Sequence, residues 1–193
     1  MTRGQPPHAS HRSPVASTPM DRITVIGCGG SGKTYLANQL AATLSLPVTH
    51  LDAVYYDADW NPLPAEEFGK LQRDLAAAPR WLIEGNYASS LPIRLAATDT
   101  VIFLDLPAAT CLLGILQRRW RYRGGQHTQV GVYDRITWNF VKYILRYRTT
   151  MRPRVEALIA EHGTHARLVR LTSRRQAAAF LAQVTAHTRA AQT

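Results

Sequence analysis

Gly27-Cys28-Gly29-Gly30-Ser31-Gly32-Lys33-Thr34 is the stretch that decides how the chain is read. It fits G-x-x-x-x-G-K-[ST], the P-loop, in which glycine-rich backbone wraps the phosphates of a nucleotide. Before it, Arg22-Ile23-Thr24-Val25-Ile26 is a short apolar run rich in β-branched residues, as a buried strand requires. After it, Tyr35 to Leu44 are helix formers with apolar positions at Leu36, Leu40 and Leu44. The loop therefore falls between a strand and a helix N-terminus, where unpaired amides and the helix dipole favour an anion. Gly27, Cys28, Gly29, Gly30, Ser31 and Gly32 are the expected phosphate cradle. Lys33 reaches the β- and γ-phosphates, and Thr34 offers a hydroxyl to Mg²⁺. The motif specifies a nucleoside triphosphate and Mg²⁺ and leaves the fate of the γ-phosphate open. The guanine-specifying N-K-x-D pattern does not occur, so ATP is the expected nucleotide.

A chain of 193 residues suits one α/β domain with a sizeable core. Its two cysteines, Cys28 and Cys111, exclude a disulfide scaffold and have no metal-ligand spacing, which points to a reduced, cytoplasmic protein. No apolar run approaches the roughly 18 residues that span a bilayer. The net charge of +10 suggests nucleic acid at first, but its distribution is local. Between Arg118 and Arg154 there are ten basic residues and a single acid, Asp134, so this segment carries +9 of the total. A localised field of this kind focuses a compact anion, and it can also hold a nucleic-acid backbone.

Residues 1–19 are Pro, Ser, Thr, His and Arg with almost nothing apolar, and a disordered tail is expected there. Met20 stands directly before the first strand, which fits translation starting at that residue. The domain is expected over 20–193. Pro47 ends the first helix, and Val48-Thr49-His50-Leu51 reads as a second strand with Asp52 at its carboxyl end. Ligands collect at the carboxyl ends of open α/β sheets, so Asp52 is placed for magnesium or an acceptor hydroxyl. Its alternative is a turn or cap residue. His50 reads as a packed strand residue. Tyr55, Tyr56, Asp57, Asp59 and Trp60 form an aromatic, acidic loop that either lines an acceptor pocket or plugs the core.

A helix is expected over 65–77 and a third strand over Arg80-Trp81-Leu82-Ile83-Glu84, which ends on a carboxylate placed like a Walker-B acid. Gly85-Asn86-Tyr87 then turns the chain. Residues 88–98, with Arg94, read as helix, and Thr100 to Asp105 as the fourth and most apolar strand. Asp105 reads as a helix N-cap, with catalysis as its alternative. A helix from Ala108 runs into Gln117-Arg118-Arg119-Trp120-Arg121-Tyr122-Arg123, broken by Gly124 and Gly125; helical periodicity returns from Tyr133 to Arg148. This arrangement reads as a mobile lid over about 118–150. The near absence of acids to pair with its arginines weighs against a merely solvated helix face, and arginine's planar fork suits a phosphoryl group. A helix over 153–161, a strand over His165 to Leu171 and a last helix begun by Thr172 and Ser173 complete the pattern. The loop after this fifth strand is expected beside the nucleotide base.

Taken together, Ile23 to Thr34, Leu51-Asp52, Trp81-Leu82-Ile83-Glu84-Gly85-Asn86-Tyr87, Val101 to Pro107 and Arg146-Tyr147-Arg148 resemble the topology-modulation proteins of the FlaR type. These are small P-loop proteins similar to adenylate kinase. The resemblance covers residues 20 to about 190. The expected fold is a three-layer α/β/α P-loop domain with a five-stranded parallel sheet, for which the resemblance implies the order 2-3-1-4-5; a monomer is expected. Arg119 and Arg123 resemble the lid arginines of such kinases, as do Arg146 and Arg148 on the returning side. Glu84-Gly85 resembles their Asp-Gly strand end. The Pro-Arg that follows in those kinases is replaced by Asn86-Tyr87, which leaves Arg94 as the substitute for the arginine that holds the acceptor's phosphate.

The expected function is therefore ATP-dependent phosphoryl transfer to a small anionic or hydroxyl-bearing acceptor. Lys33, Asp52, Arg119 and Arg146 are the expected catalytic set. The P-loop with Arg123 and Arg148 would bind ATP, and Asp52, Glu84, Tyr87 and Arg94 the acceptor. Thr34 would hold Mg²⁺ with Glu84 behind it. The alternative expectation is an ATP-dependent DNA-binding, topology-modulating protein.

Overall fold

The computed structural model describes residues 20–57, 59, 61–121 and 136–191. The tail before residue 20, Trp60, Arg123 and the glycines expected to break the lid lie outside them.

Alternation in the chain is β-strand then helix throughout. β1 (Arg22–Gly27) leads into α1 (Lys33–Leu44). β2 (Val48–His50) is followed by the short α2 (Leu51–Tyr55) and by α3 (Ala65–Ala76). β3 (Trp81–Glu84) and α4 (Leu91–Ala97) precede β4 (Thr100–Leu104) and α5 (Ala108–Arg121). Then come α6 (Trp138–His162), β5 (Arg167–Leu171) and α7 (Arg174–Ala190). The five strands form one sheet in the order β2-β3-β1-β4-β5, and every strand pair is parallel. Helix crossovers between parallel strands are right-handed. That rule puts α1 with α7 on one face, where they touch, and α3, α4, α5 and α6 on the other, where α4 meets α3 and α6, and α6 meets α5. A sheet covered on both faces needs continuously apolar strands. Accordingly every residue of β3 and β4 is buried, as are all of β1 after Arg22.

The parallel register brings the functional strand ends level. His50 of β2 pairs with Glu84 of β3, and Val25 of β1 pairs with Glu84 from the other side. The P-loop leaves β1 just beyond this level.

Three local expectations are corrected. β2 stops at His50 and Leu51 begins α2 instead of ending the strand, so Asp52 sits in the first turn of a helix rather than directly after a strand. Asp105 is not a helix N-cap, since α5 starts at Ala108. Its buried carboxylate instead accepts two hydrogen bonds from Arg170 of β5, at 3.0 and 2.6 Å, and lies 3.4 Å from Arg152. Finally, no break separates the returning lid helix from the next one: α6 runs unbroken through Pro153. Proline there removes one backbone donor and crowds the preceding turn. It lies on the exposed side, and Thr149 and Thr150 turn their hydroxyls back onto the Arg146 carbonyl. The buried stripe Ile144, Tyr147, Val155 and Ile159 holds both halves against the core, and this tertiary packing overrides the local breaker. No helix among the described residues is long and apolar enough to cross a membrane.

Candidate active site

Around the P-loop the backbone takes conformations that explain its glycines. Gly30 has φ 76°, in the left-handed region, and a Cβ there would overlap the Cys111 carbonyl of α5. The loop is thus pressed against α5, which also makes its close approach at Gly114. Cys28 and Cys111, 83 positions apart, share a hydrogen bond across this contact, and that bond together with burial pushes the Cys28 thiol up. Gly32, also left-handed, precedes the first residue of α1. Ser31 is buried and its hydroxyl oxygen has no partner among the described residues, a polar atom left for a ligand.

Lys33 and Thr34 open α1 and converge on Glu84. The Lys33 ammonium donates to the Cys28 carbonyl at 3.1 Å and lies 3.7 Å from Glu84 Oε1. The Thr34 hydroxyl donates to Glu84 Oε2 at 3.4 Å. His50 bridges Glu84 Oε2 at 3.0 Å and Asn38 Oδ1 at 2.9 Å. Burial by itself would push the Glu84 carboxyl up, but His50, Lys33 and Thr34 together hold it below the ordinary glutamate range. Glu84 is therefore an ionised acid behind the Thr34 hydroxyl.

Asp52, in the first turn of α2, lines the same cavity as Glu84 and the P-loop. It opens to solvent in the cavity yet is ringed by protein atoms, and this enclosure, then the Glu84 charge, pushes its carboxyl above the ordinary aspartate range. Tyr87, Lys33 and Arg118 act in the other direction. The Tyr87 hydroxyl donates to Asp52 Oδ1 at 2.6 Å. Gly85, with φ 145°, makes this meeting possible, because a Cβ on it would overlap Leu51, the residue before Asp52. Asn86 ties the turn to two other elements: its Oδ1 accepts from the Gly27 amide at 2.9 Å, and its Nδ2 donates to the Tyr143 hydroxyl of α6 at 3.0 Å.

These groups line one cavity of about 1240 Å³ at the carboxyl ends of the strands. Its floor is the P-loop with Thr34 and Glu84; Asp52, Tyr56 and Tyr87 form one wall. The other wall is Gly114, Gln117, Arg118 and Arg121 of α5, with Phe140 and Tyr143 of α6 above and Arg174, Ala177 and Leu181 of α7 beyond. The described part of the aromatic loop divides between the core and the cavity. Tyr55 packs between Phe68 and Tyr87 at 4.6 and 4.7 Å, while Tyr56 faces the cavity.

The structure redistributes the arginines. Arg94 is fully buried; its Nη1 donates to Gln72 Oε1 at 2.8 Å and its Nη2 to the Gly85 and Asn86 carbonyls, each at 2.9 Å. It braces the Gly85-Asn86 turn from beneath and is not in the cavity wall, which corrects its expected acceptor role. Arg94→Ala is accordingly expected to destabilise the fold by about 3 kcal/mol and lower Tm by about 6–12 °C, because it strands three buried acceptors. A thermal melt within about 3 °C of wild type would contradict this assignment.

Arg119, Arg146 and Arg148 are exposed and outside the cavity wall, and Arg123 lies outside the described residues. The reason is helical phase. Gly114, Gln117, Arg118 and Arg121 are spaced three, four and seven apart and share one face of α5, whereas Arg119 is a further step round. Arg174 was legible only as the first residue of the last helix; it donates to Gln117 Oε1 at 2.7 Å and so joins α7 to α5.

The fold is the three-layer α/β/α P-loop fold, and solved structures of kinases share it. A shikimate kinase from Acinetobacter baumannii in complex with shikimate superposes with TM-score 0.55 at 15% identity, covering 88% of this chain and 93% of that one. A shikimate kinase from Bacteroides thetaiotaomicron gives TM-score 0.49 at 18% identity over 88% and 98% of the two chains. A gluconokinase from Sinorhizobium meliloti gives 0.44 at 15% over 87% and 95%; these last two superpose too loosely to carry weight. No family model matches the sequence, and no curated protein matches it.

Proposed function

We propose that this chain is an ATP-dependent kinase that transfers the γ-phosphoryl group to a hydroxyl of a small acceptor. The observation that carries the reading is the single cavity that joins the P-loop, Lys33, Thr34 and Glu84 to Asp52 on the acceptor side. ATP fits the floor: the partnerless Ser31 hydroxyl and the left-handed glycines form a cradle suited to phosphate oxygens. Mg²⁺ fits as well, with Thr34 and, behind it, ionised Glu84 as its protein groups. When bound, the ion neutralises charge on the β- and γ-phosphate oxygens. No group of three His, Cys, Asp or Glu able to hold a metal occurs among the described residues.

In the transfer, Asp52 accepts the proton of the acceptor hydroxyl as that oxygen bonds to the γ-phosphorus. The bond from this phosphorus to the β,γ-bridging oxygen breaks and leaves its electron pair on ADP. Lys33 and Arg118 supply positive charge where negative charge is spread over the transferring group. Phe140 and Tyr143 exclude water from the cavity beside the P-loop, limiting hydrolysis. All of these groups belong to one chain, so a monomer suffices. The direct test is ADP formation in the presence of nucleosides, nucleoside monophosphates, sugars and shikimate-like acids. At least one class is expected to raise ADP release well above the water control; if none does, the transfer reading falls.

A second reading follows the resemblance to topology-modulation proteins. Lys142, Arg146, Arg148 and Arg154 are all exposed on α6, outside the cavity wall, where a nucleic-acid backbone could lie. The two readings separate on two substitutions. As a kinase, the protein should lose about 10²-fold in kcat with Arg118→Ala, while Arg146→Ala stays within about twofold. As a duplex-binding protein, it should bind DNA more weakly with Arg146→Ala and show a salt slope flatter by about one unit. Turnover and duplex binding, each measured at two salt concentrations, decide the matter.

A further inference from the structure

We infer that Tyr87 is a positioning residue for the transfer: its hydroxyl fixes the Asp52 carboxylate so that Oδ2 is left for the acceptor's proton. The inference rests on the kinase reading of Asp52 given above.

Asp52 needs such a partner. It belongs to a helix of five residues and its carboxylate is open to the cavity. A short exposed side chain there samples several rotamers unless something holds it. Among the described residues, the group that hydrogen-bonds it is the Tyr87 hydroxyl, at 2.6 Å from Oδ1. A base must be within hydrogen-bond reach of the proton it takes, so losing one oxygen's anchor costs rate rather than fold.

Tyr87 is itself held in place at both ends. Its ring meets Tyr55 at 4.7 Å and Phe68 at 4.9 Å, both edge-on at 62° and 64°. Its backbone has φ 38°, and only one other non-glycine among the described residues, Ser45 at the end of α1, has positive φ. A bulky residue takes this conformation only where the surroundings impose it, and such residues gather at functional sites. Here the left-handed turn follows Gly85 and Asn86, both in the cavity wall, and delivers the ring to the slot from which its hydroxyl meets Asp52. A purely structural anchor would gain little from a hydrogen bond facing a solvent-open cavity.

The test is Tyr87→Phe, which keeps the ring in its slot and removes only the hydroxyl. Two rates are read: transfer from ATP to the acceptor found by the screen, and release of labelled phosphate with water as the only acceptor. In both, kcat should fall about tenfold, with the ATP KM within about twofold and Tm within about 3 °C of wild type. On an Asp52→Asn background, adding Tyr87→Phe should change the residual rate by less than about twofold, since no carboxylate remains to be placed. The inference is overturned if Tyr87→Phe retains wild-type kcat, or if its full loss recurs on the Asp52→Asn background. It is also overturned if the loss arrives as a rise in ATP KM with a fall in Tm. Should the protein bind ATP and phosphorylate no acceptor, the transfer reading fails, and the hydrolysis rates judge Tyr87 by the same ratios.

Discussion

Replacing Lys33 by alanine is expected to lower kcat by at least about 10³-fold while the protein melts within about 3 °C of wild type. The fold does not depend on this ammonium. It lines the open cavity, donates to one loop carbonyl and lies 3.7 Å from Glu84, which keeps His50 and Thr34 as hydrogen-bond partners without it. Its place at the first position of α1, beside the phosphate cradle, matters far more to a phosphoryl group than to the core. Loss of a single preorganised donor typically costs about 10²–10³ in rate, and here the donor also carries charge. The ATP Kd, read by isothermal calorimetry, should rise together with the fall in turnover. A Lys33→Ala protein that turns over ATP at the wild-type rate would remove the P-loop from the mechanism.

The second large effect is expected at Asp52. Asp52→Asn preserves shape and leaves Tyr87 an oxygen to donate to, but it removes the base. Proton transfer by a positioned side chain contributes about 10²–10⁴-fold, and a loss of that size is expected in kcat, with ATP affinity unchanged. The pH profile supplies the sign. Enclosure and the Glu84 charge hold the Asp52 carboxyl above the ordinary aspartate range, so its protonated, inactive form persists to higher pH than usual. Wild-type kcat should therefore fall on acidification through a pH above that range, and this limb should vanish in Asp52→Asn. An unchanged acid limb in the variant would assign the ionisation to another group, and an unchanged kcat would leave the acceptor side without its base.

Much of the fold was legible because its signals are local. The β-branched run before Gly27, the glycines of the loop and the helix formers after Lys33 each act within a few residues, and the structure keeps all three in place. Ser173 likewise caps α7 as expected, accepting from the Gln176 amide at 3.2 Å. The strand order implied by the family resemblance is the order observed. Glu84 was legible as the acid that closes the third strand, and the parallel register brings it to His50 and Thr34.

What failed was legible only in three dimensions. Pro153 signals a helix end to its neighbours, yet the buried stripe from Ile144 to Ile159 carries α6 through it. Asp105 resembles a cap until Arg170, 65 positions away, is found on its carboxylate. Arg94 looks like a free cation in a short helix, but the packing of α3 against α4 surrounds it with Gln72 and the turn carbonyls.

The sequence by itself thus determined the P-loop, the strand that carries it and the acid, Glu84, that closes β3. Those features follow from backbone conformation, hydrophobic period and the direction of a parallel sheet, which are properties of short segments. Only the tertiary structure decided which arginines enter the cavity, which acid is paired off, and that Tyr87 meets Asp52. These depend on helix phase and on contacts between residues 35 or more positions apart, such as the 2.6 Å Tyr87–Asp52 bond. Such contacts are fixed when the sheet, the helices and the core pack together, and no short stretch of the chain encodes them.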